Sequence, residues 1–141
     1  MPRACYRKLS KYKYQLMKEY VMQIGIRPQR DINRQFFSLS LGGLLTIKQG
    51  YAWDGASGPA IDTTNIMRGS LVHDALYQLM RLGDLDYRVH RQPADELLRS
   101  MCLEDGMSSF WAWGVYQAVH RFGESRARPT AEPEVEVICV P

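Results

Sequence analysis

Residues 64–83 read TNIMRGSLVHDALYQLMRLG, and at this stretch the hydrophobic pattern of the chain changes. Its apolar side chains recur every three to four positions, which is typical of a helix with a broad buried face. Thr64 or Asn65 can cap the start and Gly83 can end it, so we expect a helix from about Ile66 to Leu82.

A second helix is expected downstream, after a loop of about ten residues. Proline is tolerated in the first turn of a helix, so Pro93 predicts that this helix runs from there to about Glu104. Asp95 then lies in its first turn.

A third helix is predicted to begin after Ser108 or Ser109 and to end at Gly123. Its first half is apolar on nearly every side of the helix. We therefore expect it to be deeply packed, with Trp111 and Trp113 in the core.

The segment before residue 54 has a hydrophobic period of two instead, which is typical of strands. Gly42-Gly43 and Gln49-Gly50 are turn signals between its apolar runs. We therefore expect a small antiparallel β-meander, in which residues 20–26 form either a strand or a short helix. Glycine, proline, serine and aspartate then crowd residues 54–65, which predicts a loop.

The expected architecture is a single α+β domain, because 141 residues are one domain's worth of chain. Residues 124–141 contain three prolines and are expected to form an extended or disordered tail. The end of this tail alternates apolar and polar residues and could add as a strand to a sheet edge. The domain itself is divided into the β-meander 1–53, the loop 54–65 and the helices 66–123.

Composition narrows the class of protein. Hydrophobic residues make up 45% of the chain and charged residues 23%, which excludes disordered and fibrous classes. We find neither a stretch long enough to span a membrane nor the apolar core of a signal peptide. The three cysteines are widely spaced, so we expect reduced thiols.

The charge is distributed unevenly along the chain. Residues 1–30 carry eight basic side chains and one acidic, a net +7, while the rest carry ten basic and fourteen acidic, a net −4. A basic N-terminal segment can draw the protein to a phospholipid surface or an acidic partner, although there is no specific nucleic-acid motif. The alternative is a solvated strand face whose lysines protect a sheet edge.

The first predicted helix carries the side chains that are best suited to catalysis or ligand binding. His73 and Tyr77 are four positions apart and share a face, while Asp74 is rotated by about 100°. Asp95, on an apolar flank of the second helix, needs a hydrogen-bond donor that His73 or Tyr77 can supply. If the two helices return antiparallel, Asp95 lies opposite His73.

The loop adds Asp54 and Gly55 to this set. Asp54 and Asp74 could share one hard cation with backbone oxygens and water, which suits Ca²⁺. A histidine held by an aspartate is a general base for water, and a nearby cation polarises a carbonyl. This combination suits ester hydrolysis without a covalent intermediate. The alternative is that the same polar network, fully hydrogen-bonded, is a scaffold that fixes one packing.

The segment from Tyr51 to Gly123 resembles the secreted bacterial and fungal phospholipases A2. The resemblance rests on Trp53-Asp54-Gly55, on His73-Asp74-Ala75-Leu76-Tyr77, on Asp95 placed 22 residues after His73, and on the aromatic-rich helix that ends at Gly123. It implies a phospholipase-A2-like helical core. It also implies that His73 is the base, that Asp95 is its partner and that Tyr77 holds Asp95. Calcium would be bound by Asp54, the Gly55 carbonyl and Asp74.

The chain also resembles a phage and prophage family labelled domain of unknown function 1353. Three segments carry this resemblance: Asp54-Gly55-Ala56-Ser57-Gly58-Pro59, the His73–Tyr77 motif and Arg91-Gln92-Pro93-Ala94-Asp95. It implies an uncharacterised phage protein, found in the host cytoplasm or in the virion. Trp53 and Ser57 complete the candidate set, and Ser57 has no role in the phospholipase mechanism.

Two functions follow as expectations. The first is a phage-encoded, calcium-assisted hydrolase of a lipid ester that acts on a membrane surface. The second is a non-catalytic structural or host-interaction protein that keeps the fold as a scaffold. In the second case the N-terminal sheet or the C-terminal strand would contact a phage or host protein.

Overall fold

A computed structural model describes residues 3–8, 14–53 and 63–129 of the chain. It confirms an α+β protein with antiparallel strands in the N-terminal half and helices in the C-terminal half. The elements are β1 (Tyr6–Lys8), β2 (Tyr14–Leu16), β3 (Tyr20–Gln23), β4 (Ile32–Asn33), β5 (Phe37–Leu39), β6 (Leu44–Ile47), β7 (Ala52–Trp53), α1 (Thr64–Arg81), α2 (Tyr87–Glu104), α3 (Ser109–Phe122) and α4 (Glu124–Ala127).

The strands form two antiparallel sheets rather than one meander. One sheet has the order β1-β2-β7 and the other the order β3-β6-β5-β4. Strands β4, β5 and β6 pair consecutively, as expected of a meander. Strand β3 pairs with β6, which gives this sheet a Greek-key order. Alternation along a strand identifies its buried face but not its partner, which is why the sequence did not give this pairing.

The ambiguous segment at residues 20–26 begins with strand β3. Tyr20 and Met22 are buried while Val21 and Gln23 are exposed, so its alternation is that of a strand with one covered face. The turn between β5 and β6 contains Gly43 at a φ of +88°, a conformation that L-residues with a side chain rarely adopt. The predicted turn at Gly42-Gly43 is therefore confirmed.

Helix α1 lies at the centre of the helical half. Thirteen of its 18 residues are buried, and its neighbours include both sheets. The Trp53 indole donates to Ser70 Oγ from one sheet, and Arg68 donates to the Tyr20 hydroxyl of the other. Helix α1 is therefore the element around which the core packs.

The predicted start of the second helix is wrong. Helix α2 begins at Tyr87, so Pro93 lies inside it and the connection from α1 is shorter than expected. The reason is the cap, because the Asp86 side chain accepts a hydrogen bond from the Arg88 backbone N–H. Asp95 is consequently in the third turn of α2 rather than the first.

The deep packing expected for the third helix is also wrong. Ala112 and Val115 are the buried residues of α3. Helix α3 packs beside α2 and α4, and α1 already occupies the central position. Four large side chains remain on the surface, with exposed fractions of 73% (Phe110), 65% (Trp111), 49% (Trp113) and 78% (Phe122).

The residues after Gly123 begin with a short helix, where the sequence predicted an extended or disordered tail. Helix α4 covers Glu124–Ala127, Ala127 is buried, and Arg81 Nη1 donates to the Arg126 carbonyl. The strand expected at residues 135–140 lies outside the described residues. In the part of the chain that is described, no helix is long and apolar enough to cross a membrane.

Candidate functional site

Helices α1 and α2 bring His73, Tyr77 and Asp95 into contact. His73 Nε2 lies 2.7 Å from Asp95 Oδ1, and the Tyr77 hydroxyl donates to the same oxygen at 2.6 Å. The histidine and tyrosine rings face each other with centroids 4.1 Å apart, as their spacing of four residues predicts. Asp95 is fully buried, so its negative charge is met by these donors rather than by water.

The acceptor character of Asp95 fixes the proton on His73. An ionised carboxylate only accepts hydrogen bonds, so the 2.7 Å contact assigns the imidazole proton to Nε2. In the neutral ring Nδ1 then carries a lone pair. Its neighbour is Asp74 Oδ1 at 3.9 Å, too far for a direct hydrogen bond. Because no described residue donates to Nδ1, its lone pair can accept a proton from water as far as the described part of the chain is concerned.

The carboxylates change the proton affinity of the site. Burial disfavours the imidazolium, but Asp74 and Asp95 favour it more strongly, so the pKa of His73 is raised above its ordinary value. Burial raises the pKa of the Asp74 carboxyl, opposed by His73. Burial and the hydrogen bond to Asp95 both raise the pKa of Tyr77, so Tyr77 is a neutral donor at physiological pH.

Three residues around Asp95 and Tyr77 were not predicted from the sequence as part of the site. Arg91 Nη1 lies 3.7 Å from Asp95 Oδ2, and His120 Nδ1 lies 3.6 Å from the same oxygen. Gly123 approaches Tyr77 so closely that a Cβ there would lie 2.8 Å from the Tyr77 hydroxyl. Arg91 could have been found from its spacing of four residues from Asp95, whereas the other two contacts depend on tertiary packing.

Trp53 connects the strand half of the chain to the site helix. It is buried, it stacks on Tyr51, and its Nε1 donates to Ser70 Oγ at 3.2 Å. Ser70 lies one turn before Asp74 on α1. Trp53, which immediately precedes residues 54–62, is therefore anchored to the helix that carries His73 and Asp74. Asp54, Gly55 and Ser57 themselves lie outside the described residues.

Asp74 is therefore the one expected calcium ligand whose position is described. Its side chain is one-third exposed, and carboxylate oxygens are hard donors of the kind that Ca²⁺ prefers. Within residues 3–8, 14–53 and 63–129 no group of three His, Cys, Asp or Glu side chains is arranged to hold a metal. Any Ca²⁺ site that includes Asp74 would need further oxygen ligands from outside this set of described side chains.

One comparison with known proteins identifies a family. A family described as "Protein of unknown function (DUF1353)" matches residues 36–119, which include β5 to β7, α1, α2 and most of α3. No curated protein and no solved structure matches the chain.

Proposed function

We propose that this chain, which belongs to the DUF1353 family of proteins of unknown function, is a phage-encoded hydrolase of lipid esters. The observation that carries the proposal is the buried contact between His73 and Asp95 with Tyr77 on the same oxygen. A scaffold needs hydrogen bonds, but it does not need an imidazole whose second nitrogen accepts none from the described residues. The resemblance to phospholipases A2 supports the same assignment.

The proposed reaction is direct attack by water. His73 Nδ1 accepts a proton as the water oxygen bonds to the ester carbonyl carbon, and the carbonyl becomes an oxyanion. The oxyanion then collapses, the carbon–alkoxide bond breaks, and the alkoxide takes the proton back from His73. Asp95 stabilises the imidazolium and holds its orientation, and Tyr77 holds Asp95. The products are a fatty acid and an alcohol.

The proposed cofactor is Ca²⁺. Asp54, the Gly55 carbonyl and Asp74 would hold it, and it would supply a positive charge that stabilises the oxyanion. Binding to the folded state raises the melting temperature by mass action, so millimolar Ca²⁺ should stabilise the wild type. The shift should be absent in Asp54→Asn and Asp74→Asn. If either variant keeps the shift, that residue is not a ligand.

The surface of α3 supports a lipid as the substrate class. Phe110, Trp111 and Trp113 expose aromatic rings, and such rings are favoured at membrane–water interfaces. The basic N-terminal segment would add attraction to an anionic surface. A protein of this kind would act in the host cytoplasm or from within the virion.

The test is release of fatty acid from mixed phospholipid–detergent micelles. In His73→Gln the amide nitrogen can occupy the position of Nε2 and keep the bond to Asp95, but no base remains at Nδ1. We expect wild-type activity in the matched control His90→Gln and a loss of at least about a hundredfold in His73→Gln. Equal activity in the two variants would exclude His73 as the base.

A second candidate function is non-catalytic binding to a phage or host protein. The exposed Phe110 and Trp111, whose ring centroids lie 6.1 Å apart, favour it, because neighbouring exposed apolar side chains commonly mark interaction sites. The N-terminal sheet, and the strand predicted from the sequence at residues 135–140, remain alternative contact surfaces. Counts of phage progeny distinguish the two functions. Binding predicts normal progeny with His73→Gln and fewer with Trp111→Ser combined with Trp113→Ser, whereas hydrolysis predicts fewer with His73→Gln.

A further inference from the structure

The second carboxylate oxygen of Asp95 is in an unusual environment. Oδ1 accepts hydrogen bonds from His73 and Tyr77, whereas Oδ2 is buried and has no hydrogen-bond partner among the described residues. Buried polar atoms are paired in the great majority of cases, because an unmade hydrogen bond leaves the desolvation cost uncompensated. Oδ2 therefore requires a donor.

Two basic groups lie near Oδ2. Arg91 Nη1, at 3.7 Å, already donates to the His120 carbonyl at 2.8 Å and to the Val119 carbonyl at 3.4 Å. This guanidinium holds the end of α3 against α2 and contributes its charge to Asp95 from a distance. The other group is the His120 imidazole, whose Nδ1 lies 3.6 Å from Oδ2.

His120 Nδ1 is itself buried and has no hydrogen-bond partner in the described part of the chain. The ring as a whole is 38% exposed, so its other edge reaches the surface. Tyr116 stacks on the ring with centroids 5.3 Å apart and planes 9° from parallel, which restricts its rotation. His120 Nδ1 and Asp95 Oδ2 thus face each other, and neither has a hydrogen-bond partner among the described residues. A displacement of about 0.7 Å brings them to ordinary hydrogen-bond distance.

We propose that His120 donates its Nδ1–H to Asp95 Oδ2 and thereby acts as a positioning residue for the His73–Asp95 pair. Its catalytic consequence rests on the proposed function, while the hydrogen bond itself does not. Asp95 would then accept from His73 and Tyr77 through Oδ1 and from His120 through Oδ2, with Arg91 close by. A carboxylate held from both oxygens cannot rotate away from His73, which keeps the His73 proton on Nε2.

The side-chain amides of asparagine and glutamine provide matched variants. An asparagine amide nitrogen can occupy the position of Nδ1, whereas a glutamine amide nitrogen falls near the position of Nε2. We therefore expect His120→Asn to keep kcat within about twofold of the wild type. We expect His120→Gln to lower kcat about tenfold without a change in KM, because the loss is in orientation and not in substrate binding.

A readout independent of activity is the tautomer of His120. Nitrogen-15 NMR of histidine-labelled protein, at a pH at which the ring is neutral, distinguishes Nδ1–H from Nε2–H. We expect Nδ1–H in the wild type and loss of this preference in Asp95→Asn, whose amide can present a donor instead. The three histidines of the chain are assigned with single His→Gln variants.

The outcomes separate this inference from the proposed function. A wild-type Nε2–H tautomer would overturn the hydrogen bond, and equal kcat in His120→Asn and His120→Gln would overturn the positioning role. If the wild type hydrolyses no ester, the proposed function fails. The tautomer in the wild type and in Asp95→Asn then still decides whether His120 donates to Asp95.

Discussion

Asp95 is the residue on which the site is built, because it is buried and accepts from both His73 and Tyr77. Its position could be anticipated from the sequence, since a carboxylate on an apolar helix flank needs a donor and His73 and Tyr77 share one face. The partners of its second oxygen could not, because His120 comes from α3 and no local spacing links the two residues.

The raised pKa of His73 makes stability depend on pH in a definite direction. The folded protein binds the His73 proton more tightly than the unfolded chain, whose histidine pKa is about 6.5. The contribution to the free energy of unfolding is therefore complete below about pH 6.5 and is lost as the pH rises through the folded-state pKa.

The measurement is urea unfolding between about pH 6 and pH 9, compared between the wild type and His73→Gln. We expect the free-energy difference, wild type minus variant, to fall as the pH rises. The comparison cancels titration at groups that the substitution leaves alone. A difference that grows with pH would mean that burial outweighs the two carboxylates.

Gly123 and Gly114 form a matched pair of substitutions. A Cβ at Gly123 would meet the Tyr77 hydroxyl and the Val119 carbonyl, whereas a Cβ at Gly114 would have no neighbour within 4 Å. We expect Gly123→Ala to lower the free energy of unfolding by about 1–3 kcal/mol through overpacking. Gly114→Ala, inside α3, should raise it by about 0.5–1 kcal/mol.

Chemical denaturation of both glycine variants measures these changes. The change in Gly123→Ala should be accompanied by a shift of the Tyr77 ring resonances, because the clash is with that side chain. Equal and small effects in the two variants would contradict the close approach of Gly123 to Tyr77.

At the scale of elements, Arg68 joins α1 to a sheet and to the end of α2. This buried guanidinium donates to the Tyr20 hydroxyl at 3.0 Å and to both Asp105 oxygens at 2.9 Å, and it also donates to Glu104. Arginine side chains are mostly exposed, and nothing in the sequence around Arg68 marks this one as buried. The buried position of Arg68 follows from the packing of α1 between elements on several sides.

The prediction compares Arg68→Met with Arg34→Met. Arg34 also makes a two-nitrogen contact with a carboxylate, Asp84, but its side chain is 35% exposed against 9% for Arg68. We expect a loss of about 2–3 kcal/mol in the free energy of unfolding for Arg68→Met, because Asp105 and Tyr20 lose a buried partner. For Arg34→Met we expect less than about 1 kcal/mol. Denaturant unfolding measures both losses. A loss for Arg68→Met as small as the loss expected for Arg34→Met would show that Arg68 contributes no more than a surface ion pair.

The helices differ in how far their bounds and burial could be predicted from the sequence, for physical reasons. Helix α1 was predicted to within two residues of either end, because its periodicity and the glycine after its last turn agree. The predicted cap at Thr64 or Asn65 is wrong, since the cap is Thr63 and its side chain makes no capping hydrogen bond. Helix α2 began earlier than predicted because the Asp86 cap determined its start rather than Pro93. The exposure of α3 was missed because hydrophobic content does not say whether a face has anything to pack against.

At the scale of the whole molecule, the two sheets and the helical half share one hydrophobic core, and α1 is its centre. The His73–Asp95 pair lies where α1 meets α2. On the far side of Asp95, His120 of α3 faces its second oxygen, and Arg91 of α2 donates to the His120 carbonyl. The α+β class was predictable from the change of period near residue 64. The division of the strands into two sheets was not, because it depends on pairing across distant segments.

The most direct test of the proposed hydrolase is the pH dependence of fatty-acid release from mixed micelles by the wild type and by His73→Gln. The base must be neutral to accept a proton, and the pKa of His73 is raised. We predict a rate that rises with pH to a midpoint above about 6.5 in the wild type and no such rise in His73→Gln. A folded wild type without activity at any pH, or a His73→Gln variant that keeps the rise, would contradict the assignment of His73 as the base.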